Sequence, residues 1–303
     1  MLEHALRERL APARGKPAVS VERALESVRS SQGSDFSHAR ARAGCSRGHL
    51  IDVVLSLPGG VANEREHRAA QSLLVAVLGE ARSADWVGEV RLEPAPRGGL
   101  LKVLDSRAPS ENFFPVSELP AMFERAIAGL YAGLPEKPHW SMGGELLWTM
   151  LEASAERADD YPAQDDLLLA STYLPEMLKC FLGGAPFSSK RFSRHGELFA
   201  YLKVESSSRD PRLSLSARRV LEDALDAALV SERAGRVVGS GLGIRYSYVD
   251  FALDHVDRAI GVISSVARRV GLPERSWVLF CDTELEDEWA PVHPNAPAPP
   301  REP

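Results

Sequence analysis

The chain has 303 residues, 44% hydrophobic and 26% charged, which is ordinary globular composition and enough length for about two domains. A formal net charge of -6 argues against a broad nucleic-acid surface, which needs a basic field. Three scattered cysteines, Cys45, Cys180 and Cys281, form no CxxC, which speaks against a disulfide framework or a cysteine-rich zinc site and for reduced thiols in a cytoplasmic protein; no apolar run reaches the roughly 20 residues that span a bilayer.

Residues 1–48 read as a partly disordered N-terminal leader. MLEHALRERLAPARG has no apolar core of a secretory signal, and Glu3 and Glu8 argue against a transit peptide; its first ten residues suit a short amphipathic helix. VSVERALESVRSS suits a second short helix, and SSQGSDFSHARARAGCSRG, rich in Ser, Gly and Arg, reads as loop.

Residues 49–151 predict a β-α-β-β-α-β series. HLIDVVLSL is a strand. EREHRAAQSLLVAVLGE is a helix with Ala70, Leu73, Leu74, Val77 and Leu78 on one face. WVGEVRL and LLKVL are strands separated by EPAPRGG, and SELPAMFERAIAGLYAGL is a helix with Ser117 as N-cap and Pro120 in its first turn. ELLWTML closes the series as a strand.

Residues 152–196 form a connector too long for a simple linker. EASAERADDYPAQDD is acidic and exposed in character, LLLASTYLPEMLKCFLGG suits one or two short helices with Pro175 starting the second, and GAPFSSKRFSRHG is a basic, aromatic loop. The connector either bridges two modules or covers a sheet face.

Residues 197–289 repeat the six-element order. ELFAYLKV is a strand, and SLSARRVLEDALDAALV a helix capped by Ser214 or Ser216. RVV and IRYSYVDF are strands joined by a GSGLG turn. A helix starts at Asp254 and is stopped by Gly271 and Pro273, and WVLFC is the last strand. GLPEK (133–137) and GLPER (271–275) then occupy the same slot, from second helix to last strand. The expected fold is α+β: two tandem split β-α-β (ferredoxin-like) modules with antiparallel sheets, related by a pseudo-twofold. Period-two alternation places Tyr246 and Tyr248 together on one sheet face, as an interdomain core or a binding surface. Residues 290–303 are a proline-rich tail.

Chemistry-bearing constellations are sparse. GSGLG lacks the helix that must follow a dinucleotide fingerprint and the Lys-Ser/Thr of a phosphate loop. The eight histidines form no HExxH or HxH pair, so no metal site and no cofactor is expected. CDTELEDEW is the sharpest charge cluster: Asp282, Glu284, Glu286, Asp287 and Glu288 offer an acidic patch for a basic protein partner. Lys179 beside Cys180 would lower that thiol's pKa. Polar and aromatic groups at His139, Glu145, His195, Arg245, Tyr246 and Tyr248 are the candidates for a cleft between the modules.

GSGLGIRYSYVDF, followed by an amphipathic helix, GLPERSW and an acidic strand end, resembles a module of uncharacterised bacterial proteins, some of which look like immunity proteins that neutralise toxins. The resemblance spans residues 236–289 and carries no catalytic residues. It implies a protein-binding role.

The sequence therefore points first to a non-catalytic protein-binding protein, of the immunity or antitoxin type, that occludes the surface of a basic, toxin-like partner. The alternative is a small-ligand binding protein or enzyme using the intermodule cleft. A third reading, an RNA-binding module, would use Lys190, Arg191 and Arg194 among Phe187, Phe192 and Phe199, against the acidic balance of the chain.

Overall fold

The computed structural model describes residues 2–10, 16, 18–58, 63–95, 113–144, 146–153, 166–205 and 211–299, with backbone alone at 10, 182 and 211–217. It has a mixed α+β architecture with two sheets, one of four strands and one of seven. The chain divides into two compact units, Pro12–Gly133 and Met1–Ala11 with Leu134–Pro303. The boundary expected near residue 151 therefore falls inside the larger unit.

The smaller unit runs α2 (Val21–Gln32), β1 (Arg40–Cys45), β2 (Ile51–Leu57), α3 (Glu64–Leu78), α4 (Glu80–Trp86), β3 (Val87–Pro94), β4 (Phe114–Pro115) and α5 (Leu119–Gly133). Its sheet order is β3-β2-β1-β4. Strand β1 lies in the stretch expected to be loop. Ala39 and Ala41 are buried in the core while Arg40 is exposed, the period-two pattern of a half-buried strand. The small alanines leave room for the helices packed over them.

Strand β2 pairs β1 antiparallel but β3 parallel. Parallel neighbours need a crossover, which α3 and α4 supply. Asn63 caps α3 by accepting from Glu66 N–H at 3.0 Å, and Ala69, Ala70, Leu73, Leu74 and Val77 form its buried face. Ser117 is no N-cap: it lies inside a 3-10 turn, Val116–Glu118, ahead of α5. The expected LLKVL strand and most of its EPAPRGG turn lie outside the described residues.

The larger unit comprises α1 (Leu2–Leu10), β5 (Thr149–Glu152), β6 (Leu167–Thr172), α6 (Pro175–Leu182), β7 (Leu198–Glu205), α7 (Pro211–Ser231), β8 (Gly235–Gly243), β9 (Tyr246–Leu253), α8 (Val256–Val270), β10 (Ser276–Phe280) and β11 (Trp289–Pro291). Its strand order is β11-β10-β7-β9-β8-β6-β5, antiparallel at every pairing. The six elements from β7 to β10 come in the order expected for residues 197–289. The first half does not copy them. Its expected last strand, ELLWTML, becomes β5 and joins the seven-stranded sheet, and the smaller sheet contains a parallel pair.

Alternation along β7 divides the core in two. Leu198, Ala200, Leu202 and Val204 pack with Leu225 and Leu229 of α7, Ile263 and Val266 of α8, and Leu6 of α1. Phe199 and Tyr201 face the other way, with Tyr246, Tyr248 and Trp277, under Met177 and Cys180 of α6 and Phe187 and Phe192 of the loop after it. The aromatic face is thus covered by the connector of its own unit and is not an interdomain core. LLLAST, expected to be helical, is strand β6, while Pro175 does start α6.

GSGLG is not a hairpin turn. It lies within β8, paired to β9 on one side and β6 on the other, and the turn falls at Ile244 and Arg245. The glycines are there for close approach. A Cβ at Gly239 would meet the Asp250 carboxylate and Ser171 O, and one at Gly241 would meet Leu167 Cδ1.

Candidate functional site

The acidic run at 281–289 separates into structural and exposed members. The chain turns after Cys281 through a 3-10 turn, Thr283–Leu285. Asp282 is 2% exposed, and its carboxylate accepts from the Ser189 N–H at 2.8 Å and from the Ser189 hydroxyl. It holds the loop after α6 against the sheet. Glu288 is ion-paired to Arg9 of α1, while Glu284, Glu286 and Asp287 are exposed. A single acidic face is therefore not what this run presents. Asp282→Ala should cost about 1–3 kcal/mol, since a buried N–H loses its acceptor. Glu284→Lys and Glu286→Lys should stay within about 0.5 kcal/mol. Urea unfolding of the three variants checks the contrast.

The cleft candidates fall at two places within the larger unit. His139 is 1% exposed. Its Nδ1 lies 2.7 Å from Glu197 Oε2, its backbone N–H donates to Oε1 at 2.7 Å, and the Ser193 hydroxyl donates to Oε2 at 2.7 Å. Burial pushes the Glu197 carboxyl up. The hydrogen bond and charge of His139, with the donors from Ser193 and the His139 N–H, outweigh it and hold the group below its ordinary value. The ring stands edge-on to Phe199 at 5.7 Å.

A carboxylate on Nδ1 is how catalytic histidines are oriented. Here Nε2 is buried and has no hydrogen-bond partner among the described residues. The pair works as a strut that fixes residue 139 to the start of β7. His195 is exposed, with Nε2 3.4 Å from Pro135 O.

Arg245, Tyr246 and Tyr248 gather elsewhere, around Asp166. This fully buried carboxylate accepts from the Arg245 and Tyr246 N–H groups at 2.8 and 3.0 Å and from the Tyr248 hydroxyl. Arg245 reaches Glu205, with Nε at 3.0 Å and Nη2 at 2.7 Å from Oε1. Lys203 is fully buried with its ammonium 4.3 Å from the Tyr246 ring centroid. His139 is anchored on Glu197 and Arg245 on Glu205, at opposite ends of β7. Eight strand residues at about 3.3 Å each put roughly 25 Å between them. The candidates do not converge, and Glu145 lies outside the described residues.

Cys180 and Cys281 are buried thiols, and Cys45 is exposed. Burial raises the Cys180 pKa, only partly offset by Arg191, and burial with Asp250, Asp282 and Cys180 nearby raises Cys281 well above the ordinary value. Lys179 pairs with Glu176 instead of activating Cys180. Arg191 is fully buried, its guanidinium donating to Pro186 O, while Arg194 is exposed and donates to Pro135 O and Leu134 O, so the basic stretch 190–194 does not present its three cations together. Among the described residues no cluster of three or more His, Cys, Asp or Glu could hold a metal, and no helix is long and apolar enough to cross a membrane.

A different surface stands out. Strand β5 is the last strand of the seven-stranded sheet. Leu147 and Trp148 before it, Met150 on it and Leu168 on β6 are 90%, 46%, 69% and 42% exposed. Beside them opens a cleft of about 190 Å³, lined by Leu146 and Trp148, by Arg236 and Val237 of β8, and by Glu222, Asp223 and Asp226 of α7. Glu222 and Asp226 share a helix face by their four-residue spacing. The Trp148 ring stands edge-on to Tyr173 at 5.5 Å. Arg236 is held by Met142 O at 2.6 Å and lies 3.6 Å from Asp226, and Glu222 lies 2.8 Å from Arg218 without hydrogen-bond alignment. Asp223 and Glu152 are exposed.

Sequence reasoning passed over every one of these groups. Leu147 with Trp148, and Met150 with Leu151, carried a usable signal, since large apolar side chains at successive strand positions point to opposite faces and cannot both face one core. Lys203 also did, as a lone charge inside an apolar strand. Asp166 and Glu197 had none, because their partners are 80 and 58 residues away. No family model, curated protein or solved structure matches the chain.

Proposed function

We propose that this chain is a non-catalytic protein-binding protein that takes an extended, basic segment of its partner along the edge of β5. The observation that carries this reading is the exposed apolar group Leu147, Trp148, Met150 and Leu168 on and beside a terminal strand. A strand edge offers a row of unpaired N–H and C=O groups, and proteins blunt such edges with lysine, proline or bulges. The sequence TMLE of β5 carries none of these. An added strand would gain main-chain hydrogen bonds and bury the apolar side chains.

Charge favours one kind of occupant. Glu152 on the strand and Glu222, Asp223 and Asp226 in the adjoining cleft favour a basic segment. A second copy would bring like charges together. This supports the basic partner and the immunity-type occlusion implied by residues 236–289, with the contact at β5 rather than at 282–288. The strand order β10-β7-β9-β8, with α7 and α8 on one face, supports reading residues 198–280 as one ferredoxin-like module. A pseudo-twofold copy finds no such support in the smaller unit.

The test uses Leu147→Lys with Met150→Lys, both at exposed positions. Wild-type protein as bait in a host lysate should retain one basic protein in stoichiometric amount, and the double variant should lose it at least tenfold. Equal retention by both baits would overturn the reading.

A further inference from the structure

The cleft beside β5 is too small for a cofactor. Its volume of about 190 Å³ is below the roughly 300–1,000 Å³ of pockets that hold drug-sized ligands. It suits a single long side chain. One wall is the half-exposed indole of Trp148, the best aromatic partner for a cation. Helix α7 also lines the cleft: Asp226 is held by Arg236 and accepts from the Val237 N–H at 2.9 Å, Glu222 lies beside Arg218, and Asp223 is exposed.

The lining cation, Arg236, is committed to the Met142 carbonyl and to Asp226, so the cleft does not offer a free guanidinium to an anion. Asp223 is exposed at its rim. An indole and an exposed carboxylate lining one cleft suit a planar guanidinium, which stacks and donates bidentately, better than they suit a lysine ammonium.

We infer that this cleft binds one arginine side chain of the partner segment docked on β5. The inference rests on the docking reading above and adds the chemistry of the anchor. A segment running along the strand would bring its alternate side chains over Trp148, so one arginine placed there would fix the register of pairing.

The test needs no partner. Protein labelled with 5-fluorotryptophan is titrated with Nα-acetyl-arginine methylamide and with the neutral citrulline analogue, following ¹⁹F resonances; Trp148→Phe assigns the resonance at the cleft. The arginine derivative should shift the Trp148 resonance saturably, the citrulline analogue at least tenfold more weakly, and Asp223→Asn should weaken the arginine response severalfold. Equal responses to both probes, or no response at tens of millimolar, would overturn the arginine site. Its failure is separable from that of docking. If the edge lysines abolish partner capture but the probe gives no shift, the arginine anchor is refuted and docking stands. If the probe shifts Trp148 as expected but capture ignores the edge lysines, docking is refuted and the guanidinium site stands.

Discussion

Glu197→Ala should destabilise the larger unit by roughly 3–5 kcal/mol, the cost of removing one partner of a buried charge-bearing pair. The substitution leaves the His139 imidazole, the His139 N–H and the Ser193 hydroxyl without their acceptor in a buried site, with His139 1% and Ser193 5% exposed. Urea unfolding near neutral pH reads the loss. A change below about 1 kcal/mol would mean that water reaches these groups and the strut carries little.

The same pair has a defined pH dependence. The Glu197 carboxyl is held below its ordinary value in the folded state, because its donors outweigh burial. The unfolded chain therefore takes up the proton first as pH falls. The contribution is complete above the unfolded value of about 4.3 and is lost as pH drops through the lower folded value. Glu197→Gln should remove that part of the acid dependence, giving a shallower fall below about pH 5 than wild type. Parallel profiles would assign the acid sensitivity to other carboxylates.

Asp166→Ala should be comparably damaging. Three donors, two of them backbone N–H groups at the turn between β8 and β9, lose their shared acceptor. At about 1–3 kcal/mol for each buried donor left unpaired, a total of roughly 3 kcal/mol or more is expected. Hydrogen exchange gives a local reading: the Arg245 and Tyr246 amides should lose protection, while the Val278 and Leu279 amides in β10 should follow only the global change. Unchanged protection at 245 and 246 would show that the turn does not depend on this carboxylate.

Elements with strong local pattern were legible in the sequence. The α8 helix, with its buried Val256, Ala259, Ile263, Val266 and Ala267 and its left-handed Gly271, follows from period and stop signal alone. So does β7. What misled was local composition whose meaning is set from far away. Glycines in GSGLG look like a turn, yet they are there because Asp250 and Leu167 crowd β8 from its two neighbours. The Ala-Arg alternation at 40–43 looks polar, yet its alanines are core. LLLAST has the length and apolarity of either a buried strand or a helix turn, and only its pairing with β8 decides.

The site proposed at β5 was not legible in place. Acidity favoured a basic partner, but Asp282 is consumed by Ser189 and Glu288 by Arg9. The carboxylates near an apolar surface come from α7, with Asp223 the exposed one, and in the sequence they looked like the solvated face of an amphipathic helix. Only the packing of α7 against β8, with β5 at the sheet edge, puts them beside Trp148.

The split of the larger unit around residues 12–133 has a consequence for synthesis. Helix α1 seats Leu6 in the core with α8, joins Glu3 N–H to Asp257 and pairs Arg9 with Glu288, across 254 and 279 residues. Those partners leave the ribosome roughly ten to fifty seconds after α1, at about 5–20 residues per second. The smaller unit is complete in that interval, whereas α1 has no seat. It cannot take its native place before α8 and the turn at 283–288 have been made.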